Sequence, residues 1–227
     1  DQHRIDFRHA TIEAIHAERA RFEEQLDFRD ATIAVLDLNN TELEEGILGK
    51  RIHITEHFTL FETVTTGDNT NFEDAVFDGT VVVDEADFNN DVTFDGATFN
   101  ADTSFEAVKF YGRANAAGDN SSFNNATFNV SVSFQRSIFE YTQFNNVTFT
   151  GDVCFQEVEA SGECEFKNTH FEGDVSFKEA EFSDDANLAN ATFDSELTLV
   201  GAKFDGGTAV LDDDLSLENA DFNGDVN

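Results

Sequence analysis

Proline, methionine and tryptophan are absent from this chain of 227 residues, and cysteine occurs only twice. Without proline, no position lacks the N–H that an extended backbone ladder needs. Two cysteines do not make a disulfide framework. No apolar run approaches the roughly 18 residues of a membrane-spanning helix, and no secretory signal opens the sequence. Cations are scarce: 13 Lys and Arg stand against 47 Asp and Glu, for a net charge of −34. Direct binding to DNA or RNA is disfavoured, because gripping phosphates needs Lys and Arg.

What is abundant is phenylalanine, 26 residues of it. From Phe72 onward the Phe residues keep a rhythm of alternating five- and six-residue steps. Phe77, Phe88, Phe94, Phe99, Phe105 and Phe110 set it, and Phe128, Phe134, Phe155, Phe166, Phe177 and Phe193 carry it on. Neither regular period gives such steps: a helix repeats apolar residues every three or four, a strand every two. A second apolar position explains them. Two residues before most large residues sits a small one, as at Ala75, Ala97, Ala126, Val132, Val153 and Ala191. Small and large, one residue apart, make a very short strand with two inward side chains. The Asn, Asp, Gly, Ser and Thr between them turn a corner. A chain that repeats strand and corner winds into a coil, whose turns bury their apolar pairs only by stacking. Four sides of five and six residues use about 22 residues, or roughly seven turns between residues 71 and 222.

The triplets Ala75-Val76-Phe77, Ala97-Thr98-Phe99, Ala126-Thr127-Phe128, Ala180-Glu181-Phe182 and Ala191-Thr192-Phe193 resemble the repeat of the pentapeptide-repeat family. That resemblance implies an all-β fold, a right-handed, four-sided parallel β-helix with Phe stacked inside, and no common enzymatic activity. The alternating sixth residue departs from the family repeat, as in Gly151-Asp152-Val153-Cys154-Phe155. It is expected to widen two of the four sides.

Residues 1–60 read as slimmer coils of the same kind, with Ile33, Leu38, Leu43, Leu48 and Ile54 in place of Phe. The helix-forming stretch 13–26 admits a short helix, but Ala20-Arg21-Phe22 fits the repeat and favours continued coil. Residues 61–71 read as a loop, and 72–227 as the main acidic rod. Two further irregularities fall at 111–122, where about two extra residues are expected to bulge, and at 205–214. Insertions in coiled repeats collect on one face, often the binding face, which makes these loops the preferred contact sites. The absent initiator Met and an ending in mid-repeat suggest a processed chain or a piece of a longer one.

No catalytic constellation, phosphate loop or nucleophile motif is present, and no cofactor or metal is expected. His53 and His57 are four apart but sit in strand-like sequence, and Asp212-Asp213-Asp214 lacks a calcium-repeat context. Cys164 takes an inward position and Cys154 an outward one, so both are expected to be free thiols. Sequons occur at Asn39, Asn120, Asn125, Asn129, Asn146 and Asn190. Occupied, they would imply a glycosylated surface or filament subunit.

The extreme charge fits a solvated coat suited to high salt, in the cytoplasm or at the surface of a salt-loving microbe. It also fits mimicry of nucleic acid by carboxylates, as in the topoisomerase-protecting proteins that the resemblance brings to mind. The expected role is therefore a non-catalytic structural or interaction scaffold. Its partner is expected to be protein, including another copy meeting it end to end through exposed strand edges.

Overall fold

The computed structural model describes residues 4–67, 70–111, 120–205 and 215–227. Those residues form a coil of short parallel strands and contain no helix. Each turn has four sides. The first face stacks ten strands, from Arg4–Asp6 to Leu215–Ser216, and the fourth stacks nine, from Arg21–Phe22 to Lys203–Phe204. The second and third faces join into one sheet because Thr11–His16, Thr32–Asp37 and His53–Thr59 run through the corner between them. Val132 pairs with Val153, and Val153 with Val175, so a regular turn takes 21 or 22 residues.

The two kinds of step are two kinds of corner. At the five-residue steps the Ala97 N–H donates to the Phe94 carbonyl at 3.0 Å, and Gly96 between them has φ +68°. Asn125, Asn146, Glu157 and Glu179 repeat that conformation, with φ from +57° to +61°. Positive φ at the third residue of a four-residue turn defines a type II turn, which favours Gly or Asn there. The six-residue steps lie at the other two corners. The sixth residue enters between turns: Ile33 pairs with Ile54, but Val35 pairs with His57, so the register slips by one. Consecutive turns come so close there that a Cβ on Gly151 would strike the Ser131 backbone.

Inside, the rings form columns. Phe77, Phe99, Phe128, Phe149, Phe171, Phe193 and Phe222 stack in one line with centroids 4.4 to 5.2 Å apart. Phe72, Phe94, Phe123, Phe144 and Phe166 form a second, and Phe105, Phe134, Phe155 and Phe177 a third. Phe88 stacks on Phe110 along the fourth face. Rings of adjacent columns meet edge to face, as Phe105 and Phe123 do at 5.5 Å, the arrangement aromatic quadrupoles favour. Hydroxyls in small inward positions mostly reach a carbonyl: Thr63 donates to Leu38 at 2.7 Å and Ser137 to Phe105 at 2.6 Å. Thr70, Ser121 and Thr142, inward on the first face, have no partner for their hydroxyls among the described residues.

Several expectations need correction. The short helix admitted at 13–26 does not form: the favoured coil continues there, with the rest of Thr11–His16, then Arg21–Phe22 and the start of Gln25–Asp27. The supposed loop at 61–71 contains the strands Val64–Thr65 and Thr70–Asn71, both in register with their neighbours. Leu48 is not on the inward ladder. It pairs with Asp27 and Asn71, facing outward, and the large position belongs to Gly49, whose missing side chain makes room for the Phe72 ring. The excess at 111–122 is larger than two. Thr93 pairs with Ser122, 29 residues on, seven more than a regular turn. Phe110 and Phe123 lie on adjacent sides, one step apart, rather than two.

Candidate interaction surfaces

Among the described residues the interior is filled by apolar side chains, so the outward positions are where this molecule can meet others. Pairing stacks them into columns of one residue per turn. On the third face the column reads Val82, Ser104, Ser133, Cys154, Ser176, Thr198. These small, half-buried side chains floor a trough of about 580 Å³. One rim is exposed and mostly acidic: Asp102, Ser131, Asp152, Asp174 and Glu196 succeed each other turn by turn. The Asp174 N–H donates to Asp152 Oδ1 at 3.0 Å, and the Glu196 N–H to Asp174 Oδ1 at 3.0 Å. Asp152 and Asp174 are thereby pinned to the next turn.

A second groove, on the fourth face, brings Glu157, Glu159, Glu179 and Glu181 together between Arg136 and Lys203. At the corner of the first and second faces the asparagines form an amide ladder. Asn168 donates to Asn146 at 3.1 Å, Asn190 to Asn168 at 3.2 Å and Asn219 to Asn190 at 3.3 Å. The sequon residues Asn146 and Asn190 belong to this ladder. Asn125 continues the same column, Asn129 donates to Asn100 at 2.7 Å, Asn39 accepts from the Phe61 N–H at 3.1 Å, and Asn120 is half-buried. Of the sequon residues in this column, Asn125 and Asn146 lie on adjacent turns, about 4.8 Å apart, while Asn190 lies two turns beyond Asn146.

The N-terminal cations are spent on neighbours. Arg4, Arg8 and Arg29 surround the fully buried Asp27 carboxylate, and Arg51 pairs with Asp30 at 2.6 Å. The Arg51 guanidinium holds the Asp30 carboxyl below the usual range. His53 and His170 lie 2.6 and 2.7 Å from Asp78 and Asp194, one turn away, and lower those carboxyls. Burial raises Asp95 and Glu163, and raises the Cys164 thiol strongly. Both cysteines are free. His53 is hydrogen-bonded to Asp78 and His57 to Thr80, each at 2.6 Å; among the described residues no group of three or more His, Cys, Asp or Glu is placed to hold a metal. No described helix is long and apolar enough to cross a membrane.

Of the segments favoured from the sequence as contact loops, 111–122 and 205–214, residues 112–119 and 206–214, with Asp212-Asp213-Asp214, lie outside the described residues, while Tyr111 ends the strand Lys109–Tyr111 and Ser121–Ser122 is itself a strand. The described strands before them, Lys109–Tyr111 and Lys203–Phe204, belong to the fourth face, and those after them, Ser121–Ser122 and Leu215–Ser216, to the first. Sequence reasoning missed the trough and the amide ladder. The only signal for the ladder was Asn recurring two residues after a large residue, at Asn125, Asn146, Asn168 and Asn190.

Comparison with protein families finds a match to "Pentapeptide repeats (9 copies)" over residues 67–117, 118–159 and 166–213, together more than half of the chain. No curated protein sequence matches. Among solved structures, QnrB1, a plasmid-mediated fluoroquinolone resistance protein, aligns with 94% of this chain over 92% of its own, at 14% identity and a TM-score of 0.34.

Proposed function

Because the chain belongs to the pentapeptide-repeat family, we propose that it is a non-catalytic scaffold that binds protein through its outward columns. The observation that carries this reading is the filled interior: three Phe columns close the tube, and among the described residues most charged and polar side chains lie on its outside. The charge suits molar salt, where screening shortens the reach of repulsion from about 10 Å to about 3 Å. Capture of proteins from a lysate at molar KCl tests the reading. Specific partners, retained against an unrelated acidic protein, are the expected result; none retained would count against it.

Self-association belongs to the same proposal. An apolar pocket of about 190 Å³ opens among Leu197, Phe204, Leu217, Phe222 and Val226 at the last described turn. The outward column that begins with Arg8 ends with Glu218, so a head-to-tail neighbour would set opposite charges side by side. Light scattering as a function of salt tests it: a strictly monomeric chain at every salt concentration would remove end-to-end association.

Charge density favours a second reading, mimicry of DNA toward a type II topoisomerase. Ten stacked strands span about 43 Å at 4.8 Å per turn, and 34 net negative charges over that length give one per about 1.3 Å, close to the 1.7 Å of duplex DNA. A gyrase supercoiling assay separates the two readings: inhibition or protection would support mimicry, and no effect at high excess would remove it.

A further inference from the structure

The trough on the third face has features that select an occupant; this step rests on the scaffold reading and adds to it. Its floor is small and shallow. Ser104 Oγ and Ser133 Oγ are turned aside to Asp84 and Glu106 on the far rim, at 2.5 and 3.0 Å, so the floor presents mainly apolar atoms. The near rim is acidic at four of its five turns: Asp102, Asp152 and Glu196 lie two turns apart, with Ser131 between the first two and Asp174, whose Oδ1 accepts the Glu196 N–H, between the last two. Asp152 uses Oδ1 for the next turn's N–H, which fixes the carboxylate and leaves Oδ2 for a partner. The far rim continues from Asp84 and Glu106 through Gln135 and Gln156 to one cation, Lys178.

We infer that this trough docks an extended basic segment of a partner protein, lying along the rod in polyproline-II conformation with Lys or Arg at every third residue. The spacing of Asp102, Asp152 and Glu196, two turns apart, fits one conformation best. Two turns of the rod advance about 9.6 Å. Three residues of polyproline II advance about 9.3 Å, so across the four turns from Asp102 to Glu196 the mismatch is about 0.6 Å. Two helical turns advance about 10.8 Å, and the mismatch grows to about 2.4 Å. A β-strand repeats its side chains at about 6.7 Å and meets neither one turn nor two. A shallow floor without deep holes accepts proline and other compact residues between the cations. A second copy of this chain is a poor occupant, because its own surface carries the same negative charge.

The test is fluorescence anisotropy with a labelled peptide of three Lys-Pro-Pro repeats, in 0.2 M KCl. The triple variant D102N, D152N and E196Q keeps every rim acceptor and removes three charges. It is expected to weaken binding about tenfold, and C154Y, which raises the floor, to weaken it similarly. The triple E157Q, E159Q and E181Q removes the same charge from the fourth face and is expected to leave affinity within about twofold. A peptide of equal charge with Lys at every second residue is expected to bind more weakly. Equal loss from both triples, or equal binding of both peptides, would overturn the inference and leave only diffuse attraction of cations. Lysate capture distinguishes the two levels: partners retained equally by wild type and trough triple would sink the trough and keep the scaffold. Trough-dependent peptide binding with no protein captured would sink the scaffold reading alone.

Discussion

Phe99 and Phe128 lie one turn apart, with ring centroids 4.4 Å from each other and planes within 1° of parallel. This is the tightest contact in a column that runs from Phe77 to Phe222, and both rings are fully buried. Phe128→Ala should therefore cost about 3–5 kcal/mol, read as a shift in the urea midpoint at fixed salt. Phe128→Leu should cost less than half of that, because Ile33 and Ile54 fill the same column in the earlier turns. Equal costs would mean that ring stacking, rather than filled volume, dominates.

The corners carry side chains in a conformation that suits glycine. Ala107 has φ +55°, and Gly201 occupies the same corner four turns on. Ala107→Gly should stabilise the fold by roughly 0.5–1 kcal/mol. Gly96→Ala should destabilise it by at least as much, since its Cβ would also sit 2.7 Å from Asp74 Oδ1. Thermal melting of the two variants checks the pair; shifts of the same sign would contradict the assignment.

Thr142 is inward and fully buried, and its hydroxyl has no partner among the described residues. Val92 fills the same column two turns earlier. Thr142→Val should then gain about 1 kcal/mol by removing an unmatched polar group. A loss would show that the hydroxyl is bonded in solution.

The acid limb of stability should have two parts. Asp95 and Glu163 have raised carboxyls. Their folded forms hold the proton more tightly than the unfolded chain does, so they favour folding below the ordinary carboxyl range near pH 4 and lose that contribution as pH rises through their folded values. Asp30, Asp78 and Asp194 are lowered. Their contribution is complete above about pH 4 and disappears as pH falls through their folded values. Stability should rise from pH 7 toward about pH 5, as self-repulsion also falls, and decline below about pH 4. Urea midpoints across pH check this, and Asp78→Asn should flatten the low-pH decline.

Much of the fold was legible because the coil repeats one decision. Phe and a small residue two positions earlier mark an inward pair whatever the turn, so Phe94, Phe105 and Phe134 reveal their sides directly. The failures lie where composition and geometry part. The stretch 13–26 admits a helix because it is rich in helix formers, but Phe22 stacks its strand on Leu43, and packing overrides propensity, as the repeat at Ala20-Arg21-Phe22 indicated. Leu48 has an apolar side chain and the right spacing, yet Gly49 takes the inward place because the Phe72 ring already fills it. The trough depends on which columns are small over six turns at once, and only the pairing register of Ser104, Ser133, Cys154 and Ser176 reveals that.

The account stands on outward residues stacking in straight columns at one turn per step. Spin labels at Ser104→Cys and Thr198→Cys, in a Cys154→Ser background with Cys164 left buried, measure this directly by pulsed electron resonance. Four turns separate the two sites, so a single narrow distribution between backbones about 19 Å apart is expected. A broad distribution, or one centred well beyond that distance, would contradict the coil and every surface argued from it.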